Sequence, residues 1–273
     1  MHSSPVSIDS AYMRELMGFA EALADAARLL SRKWFRREVR VDTKADDSPV
    51  TIADREVEAM LRRRIADRFP EHGIVGEELG EDGADADYIW LVDPIDGTRS
   101  FISGHPLWGT LLALLYRGRP VLGVIDMPVL SERWVGVGGQ PARFNGERCH
   151  TSKCRRLGQA AMYSTSPDLF DDQERATFER LSGAVRMRRF GGDCYNYALL
   201  ANGYIDLVVE SGLQPYDCLA LVPVVEGAGG LITDWHGRPL DLQSSGQVIA
   251  AANAELHRQA VALIENAPGT SKP

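Results

Sequence analysis

Two carboxylates three residues apart carry the strongest chemical signal in this chain. Asp93-Pro94-Ile95-Asp96-Gly97-Thr98 follows an apolar run at 88–92, so the pair stands where a strand is predicted to run out into a turn. Pro94 stiffens the backbone between them and lets both side chains converge on one point. Gly97 permits a close backbone approach. If a helix begins at 98, the N–H groups of Gly97 and Thr98 face outward, and such a terminus attracts phosphate through unpaired N–H groups and the helix dipole. Carboxylates suit a hard cation and N–H donors suit a phosphate, so the set reads as a metal-assisted phosphoryl-transfer site. The plainer alternative is an Asx-turn that caps the next helix.

Other acidic residues favour the chemical reading. Gly76-Glu77-Glu78 ends a short apolar run at 74–75, a poor place for a glutamate pair kept for solubility alone. Asp217 follows Pro215-Tyr216 and opens a predicted helix at 219–228, otherwise among apolar residues. Asp54 falls in the first turn of a predicted helix at 51–69, where favourable interaction with the helix dipole is a sufficient alternative role. These carboxylates do chemistry together only if the fold brings them to one place.

The elements that must do so are legible as changes of period. Ile8, Tyr12, Leu16, Phe19, Leu23, Ala26, Leu30 and Trp34 recur at helical spacing, with Ser7 or Asp9 as candidate caps. The 51–69 helix turns Val57, Met60, Leu61, Ile65 and Phe69 inward, and a polar loop at 41–50 holds Lys44 and the turn former Asp46-Asp47-Ser48-Pro49. Short strands follow at 74–75, 88–92, 110–116, 120–127, 133–137 and 142–144, with Arg117-Gly118-Arg119 as a hairpin turn. They read as an antiparallel run covered by the two helices. Beyond about residue 155 strands and helices alternate: strands at 160–164, 185–190, 205–210, 231–233 and 248–251, helices at 171–181, 194–202, 219–228 and 254–265. The expected organisation is an α+β lobe over 1–150 and an α/β lobe over 151–273, with the site where they meet.

Composition narrows the function classes. The 273 residues are 44% hydrophobic and 25% charged, ordinary globular proportions. Thirty basic against 38 acidic residues give −8, which argues against a protein that neutralises nucleic-acid phosphates. No run of about 18 apolar residues is present to span a membrane. The polar segment 1–10 lacks the order of a signal peptide, so the cytoplasm is the expected location. Cys149, Cys154, Cys194 and Cys218 are too few for a disulfide scaffold, and Cys149-His150 with Cys154 match no common structural zinc spacing. Reduced, partly buried thiols are expected.

Gly76-Glu77-Glu78, the Asp93–Thr98 motif, and Tyr216-Asp217 running into Val225-Glu226-Gly227-Ala228-Gly229-Gly230 together resemble the inositol monophosphatase superfamily. The resemblance covers the chain from Lys44 to the last helix. It implies an α/β, layered αβαβα fold and a Mg²⁺-dependent, lithium-sensitive phosphatase that uses two or three ions, with Mn²⁺ a possible substitute. It implies that Glu77, Asp93 and the carbonyl of Ile95 bind a first ion, and Asp93, Asp96 and Asp217 a second. Glu78 falls outside the first ion's ligands or on a weakly held third ion through water. Thr98 would orient the attacking water with Glu77 and Asp54, Gly97 and Thr98 N–H groups would hold phosphate oxygens, and Lys44 would lie in a mobile loop near the metals. Hydrolysis would then proceed by activated water with no covalent intermediate. Members are commonly homodimers. Tyr216 departs from the Trp most members carry there, which retains an aromatic wall but leaves room for a different substrate neighbourhood.

Within the superfamily, Arg189-Phe190-Gly191-Gly192-Asp193-Cys194-Tyr195 and Gly212-Leu213-Gln214-Pro215-Tyr216-Asp217 look like the bacterial histidinol-phosphatase branch of histidine biosynthesis, as do Ser164-Thr165-Ser166-Pro167-Asp168 and Ile232-Thr233-Asp234-Trp235. Histidinol presents an ammonium and an imidazole, and Asp193 and Glu210 on the leaving-group side would suit a cationic alcohol. Asp193 also stands where an N-cap would for the 194–202 helix, and Glu210 could be an ordinary exposed strand-end residue. The rival substrate is inositol 1-phosphate under broad specificity. A regulatory, phosphatase-like protein is the non-enzymatic alternative, set against a full complement of the family's site residues.

Overall fold

A computed structural model describes residues 8–38, 40–43 and 49–265. Lys44, the Asp46-Asp47-Ser48 part of the turn and the candidate cap Ser7 lie outside the described residues. Helix α1 (Ser10–Trp34) starts at Asp9, whose side chain accepts the Ala11 N–H. A ribbon of β1 (Val41–Thr43) and β2 (Pro49–Thr51) leads into α2 (Ile52–Arg68), capped by Thr51.

The first sheet comprises β3 (Gly73–Gly76), β4 (Gly80–Asp82), β5 (Tyr88–Asp96), β6 (Gly109–Tyr116), β7 (Arg119–Met127), β8 (Glu132–Val137), β9 (Arg143–Phe144) and β10 (Glu147–Arg148), with the short α3 (Thr98–Ile102) between β5 and β6. Its strand order is 10-9-8-7-6-5-3-4, antiparallel except for the parallel pair β3–β5. The second half contributes β11 (Ala161–Ser164), α4 (Asp172–Ala184), β12 (Met187–Phe190), α5 (Cys194–Ala201), β13 (Leu207–Glu210), α6 (Pro215–Cys218), α7 (Leu221–Gly227), β14 (Leu231–Thr233), β15 (Val248–Ala251) and α8 (Ala254–Glu265). The five-stranded sheet runs 12-11-13-15-14, parallel among the first three strands and antiparallel beyond.

Alternation along the strands builds five layers. Trp90, Val92, Leu112 and Leu114 pack under α1 and α2, while Ile89, Leu91, Leu111 and Ala113 face α5, α7 and the second sheet. Ala161, Val208 and Ala250 complete that middle core, and Met162, Leu207 and Ile249 turn outward onto α4 and α8. Both sheets are thus buried on both faces, the αβαβα arrangement. Two glycines allow the middle helical layer to seat closely: a Cβ on Gly123 would stand 2.0 Å from the Ala220 carbonyl, and one on Gly136 2.2 Å from Pro223.

Several local expectations shift. The buried stripe of α1 is Met13, Leu16, Ala20, Leu23, Ala24, Ala27 and Ser31, with Tyr12 and Phe19 at its edge. Small side chains take the centre because α1 lies against α2 and the sheet together. The expected 219–228 helix is α7, and Asp217 lies ahead of it inside a separate short helix, α6. No helix of the described residues is long and apolar enough to cross a membrane.

One buried contact ties α1 and α2 to the sheet and carries a pH dependence. The His72 ring stacks between Phe69 and Tyr88 at 4.7 and 4.8 Å. Trp90 Nε1 donates to His72 Nδ1 at 3.0 Å, so the ring proton sits on Nε2, 3.1 Å from the Tyr12 hydroxyl. Burial lowers the His72 pKa to about 4. Its folded pKa lies below the unfolded value, so the unfolded chain binds more protons between pH 6.5 and 4 and this contribution to stability is lost as pH falls through that window. Wild type and His72→Gln should therefore differ most in thermal midpoint near pH 7 and converge toward pH 4; a constant difference would contradict the assignment.

Candidate active site

The site begins with an irregularity in β5. Pairing with β6 runs Asp93↔Leu111 and then Asp96↔Gly109, so three steps on β5 oppose two on β6. In a regular strand, residues three apart point to opposite faces; one extra residue returns Asp96 to the side of Asp93. Pro94 occupies the bulge, where its missing N–H breaks no ladder bond, and its carbonyl accepts from Thr110 Oγ1 at 2.8 Å. The strand therefore continues through the motif, where the sequence suggested that it stops at 92. Asp93 also makes the Asx-type bond of the plainer reading, Oδ1 accepting Ile95 N–H at 3.0 Å. That bond fixes the carboxylate and leaves its other oxygen for the site.

Asp217 is brought in by α6, its Oδ2 accepting Gln214 N–H at 2.7 Å. One carboxylate oxygen from each of Asp93, Asp96 and Asp217 lies within 4.8 Å of the others. Asp96 Oδ2 accepts the Cys194 N–H at 2.6 Å, so Asp96 serves the start of α5. Asp193, the expected N-cap, makes no capping bond. Its backbone, at φ 46° and ψ −133°, turns the side chain toward α3, where Oδ2 accepts from Ser100 Oγ at 3.3 Å. The carboxylate packs against Gly97, where a Cβ would come within 2.8 Å of Oδ2. Gly97 at φ 84° thus meets two demands, the left-handed turn into α3 and the close approach of Asp193.

Asp54 divides its two oxygens. Oδ2 accepts Thr51 N–H at 2.8 Å and Thr51 Oγ1 at 2.6 Å, completing a capping box, while Oδ1 lies 3.4 Å from Thr98 Oγ1. The helix-start role of Asp54 thus occupies one oxygen and leaves the other facing Thr98. Thr98 Oγ1 is also 3.2 Å from the Ile95 carbonyl oxygen. Glu77 follows β3, with its N–H on the Val92 carbonyl and its side chain hydrogen-bonded with Asp93.

Glu58 is a supporting residue that the sequence reading missed. It is fully buried, accepts Glu78 N–H at 2.7 Å and Leu79 N–H at 3.1 Å, and pairs with Arg62 at 2.7 Å. It braces the turn that presents Glu77. The available signal was spacing: 54, 58, 61 and 65 follow the buried face of α2, so two acids stand at core positions.

Glu210 is 1% exposed, which removes the exposed-residue reading. Its Oε1 accepts Thr165 N–H at 2.9 Å and Thr165 Oγ1 at 2.7 Å, and burial raises its pKa to about 8. A cavity of about 600 Å³ is lined by Glu77, Gly97, Thr98, Ser100, Thr165 and Asp193. Thr165, Leu169 and Asp193 also border a second chamber of about 170 Å³ that reaches Asp96, Glu210 and Asp217.

The electrostatics test the fit to a cation. Burial, followed by the charges of Glu77, Asp96 and Asp217, holds Asp93 well above the carboxylate range. Burial and then Asp96 do the same for Asp217, and burial with the charge of Asp193 lifts Asp96 to about 7. No arginine or lysine of the described residues forms a salt bridge with these three aspartates. Clustered hard oxygen donors with mutually raised pKa values match a divalent cation such as Mg²⁺.

Fold and cluster define a metal-dependent phosphomonoesterase. The chain belongs to the inositol monophosphatase family, whose sequence model matches residues 12–268 and whose chemistry uses Mg²⁺. It is 46% identical to "Bifunctional phosphatase IMPL2, chloroplastic" of Arabidopsis thaliana over 275 residues, covering 97% of this chain and 79% of that protein. It is 38% identical to a histidinol-phosphatase of Mycobacterium tuberculosis over 225 residues, covering 80% and 86%. A solved structure of an inositol monophosphatase from Zymomonas mobilis superposes with a TM-score of 0.86 at 48% identity, covering 94% of this chain and 99% of that one.

Because carboxylate repulsion opposes the metal-free fold, Asp93→Asn should raise the thermal midpoint of metal-free protein. The same change should abolish most of the rise that Mg²⁺ gives wild type by binding only the folded state. Thermal scans with and without Mg²⁺ check both; an undiminished Mg²⁺ shift in Asp93→Asn would contradict the cluster assignment.

Proposed function

We propose that this chain is a histidinol-phosphate phosphatase of histidine biosynthesis. The observation that carries the reading is the pairing of a buried acidic chamber with the carboxylate cluster. Glu210 and Asp193 stand beside the aspartates, and burial lifts Asp193 to about 6 and Glu210 to about 8. A cationic alcohol compensates such groups better than neutral cyclitol hydroxyls do. The M. tuberculosis and Chlorobaculum parvum relatives named histidinol-phosphatase support the same branch.

Glu77, Asp93 and the carbonyl of Ile95 would hold one Mg²⁺, and Asp93, Asp96 and Asp217 a second; Mn²⁺ suits the same donors, and a third weak ion falls near Glu78. The chemistry Mg²⁺ supplies when bound is screening of the phosphate charge and a stronger water nucleophile at neutral pH. Thr98, set between Asp54 and the Ile95 carbonyl, would pass hydrogen bonds to the attacking water with Glu77 as its neighbour. Gly97 and Thr98 N–H groups would hold phosphate oxygens in line for attack. On the family resemblance, Lys44 would add positive charge near the metals. On the family resemblance the enzyme acts as a homodimer in the cytoplasm, on a small phosphate monoester.

A second reading, inositol-1-phosphate hydrolysis with broad specificity, is favoured by the likeness to the Zymomonas mobilis inositol monophosphatase. Turnover of histidinol phosphate and inositol 1-phosphate side by side, with and without Mg²⁺, separates the two. A charge-assisted hydrogen bond contributes roughly 1.5–3 kcal/mol, or about 10- to 150-fold in kcat/KM. Glu210→Gln should lose that factor with histidinol phosphate and much less with inositol 1-phosphate or p-nitrophenyl phosphate. Asp193→Asn should behave alike without destabilising α5, since Asp193 makes no cap bond. Equal losses on all three esters would favour the broad-specificity reading.

A further inference from the structure

Tyr197 lies on α5, three residues after the Cys194 N–H that binds Asp96, and so on the same face of the helix. It lines the 170 Å³ chamber together with Asp96, Glu210, Ser211 and Asp217. The residue is 1% exposed, yet its hydroxyl has no hydrogen-bond partner among the described residues. Buried polar groups are nearly always paired, because an unpaired hydroxyl forfeits its hydration without compensation. Burial, followed by the charge of Glu210, keeps the hydroxyl protonated, so it remains a donor. A donor kept at this cost beside an acidic acceptor forms a two-point polar reader with no occupant from the chain itself.

We propose that Tyr197 is a specificity-determining residue for the leaving group, its hydroxyl pairing with the nitrogen heterocycle of the substrate while Glu210 takes the opposite N–H. This rests on the histidinol-phosphate reading given above. A neutral imidazole offers one N–H donor and one acceptor nitrogen, which match Glu210 and the Tyr197 O–H respectively. The chamber lies against Asp96 and Asp217, so a ring seated there is attached to the phosphate being cleaved. A p-nitrophenyl group offers no ring nitrogen to either residue.

Tyr197→Phe removes one oxygen and retains the ring packing, so two opposite effects should appear together. The thermal midpoint of the metal-free, substrate-free protein should stay level or rise, because an unpaired buried hydroxyl is gone. The kcat/KM for histidinol phosphate should fall roughly three- to tenfold, the value of one neutral hydrogen bond, with p-nitrophenyl phosphate and inositol 1-phosphate within about twofold of wild type. A midpoint several degrees lower would show that the hydroxyl already serves the fold, and would overturn the proposal. A wild-type preference for histidinol phosphate that survives Tyr197→Phe overturns it alone. A wild type that prefers inositol 1-phosphate overturns the histidinol-phosphate reading and the proposal with it.

Discussion

Like charges buried together are the constraint on which this structure depends. One carboxylate oxygen from each of Asp93, Asp96 and Asp217 lies within 4.8 Å of the others, Glu77 is hydrogen-bonded with Asp93, and Asp54 lies one hydroxyl away. Left to electrostatics, these side chains would rotate apart. The fold prevents this by committing one oxygen of nearly every carboxylate to a backbone N–H: Asp93 to Ile95, Asp96 to Cys194, Asp217 to Gln214, Asp54 to Thr51 and Glu210 to Thr165. Each bond fixes the side chain's direction and leaves a second oxygen for the cavity. The same bonds stabilise a bulge, three helix starts and a turn. Site and secondary structure are therefore held by one set of contacts.

The surrounding layers follow from that requirement. The bulge at Pro94 needs a firm sheet on either side, which β3 and β6 supply with both faces buried. Asp217 arrives from the second half of the chain, so α6 and α7 must seat against the first sheet, and Gly123 and Gly136 admit them. Glu58 secures the turn at Glu77 from α2, itself pinned under α1. A preorganised anionic pocket of this kind costs stability in the absence of cations, and the apolar cores between the five layers offset that cost.

Much of this was legible in the sequence, for physical reasons that also mark where legibility ends. The Asp93–Thr98 motif, the helix at 51–69 and most strands depend on local periodicity and turn chemistry, which a single chain displays. The bulge does not, since it is defined by pairing with β6. Asp193 obeyed the local rule for an N-cap by position, but a distant contact at Gly97 and the Asp96 carboxylate took over its capping role. The α1 stripe was displaced by one position because Tyr12 and Phe19 reach sideways to Phe69, Tyr88 and Trp90, leaving the centre to alanines. Glu58 left a readable trace, an acid at core spacing, which counts as a signal only when paired with Asp54.

The central claim is that protons stand in for cations at the aspartate cluster when no metal is bound. Metal binding at such a site must expel protons, and its affinity must rise with pH. Calorimetric titration of the metal-free protein with Mg²⁺ at pH 7, in buffers of differing ionisation enthalpy, counts the protons released. Release of about one proton or more per protein, with tighter binding at pH 8 than at pH 6, is the result the account predicts. Binding with no proton release and no pH dependence would contradict it.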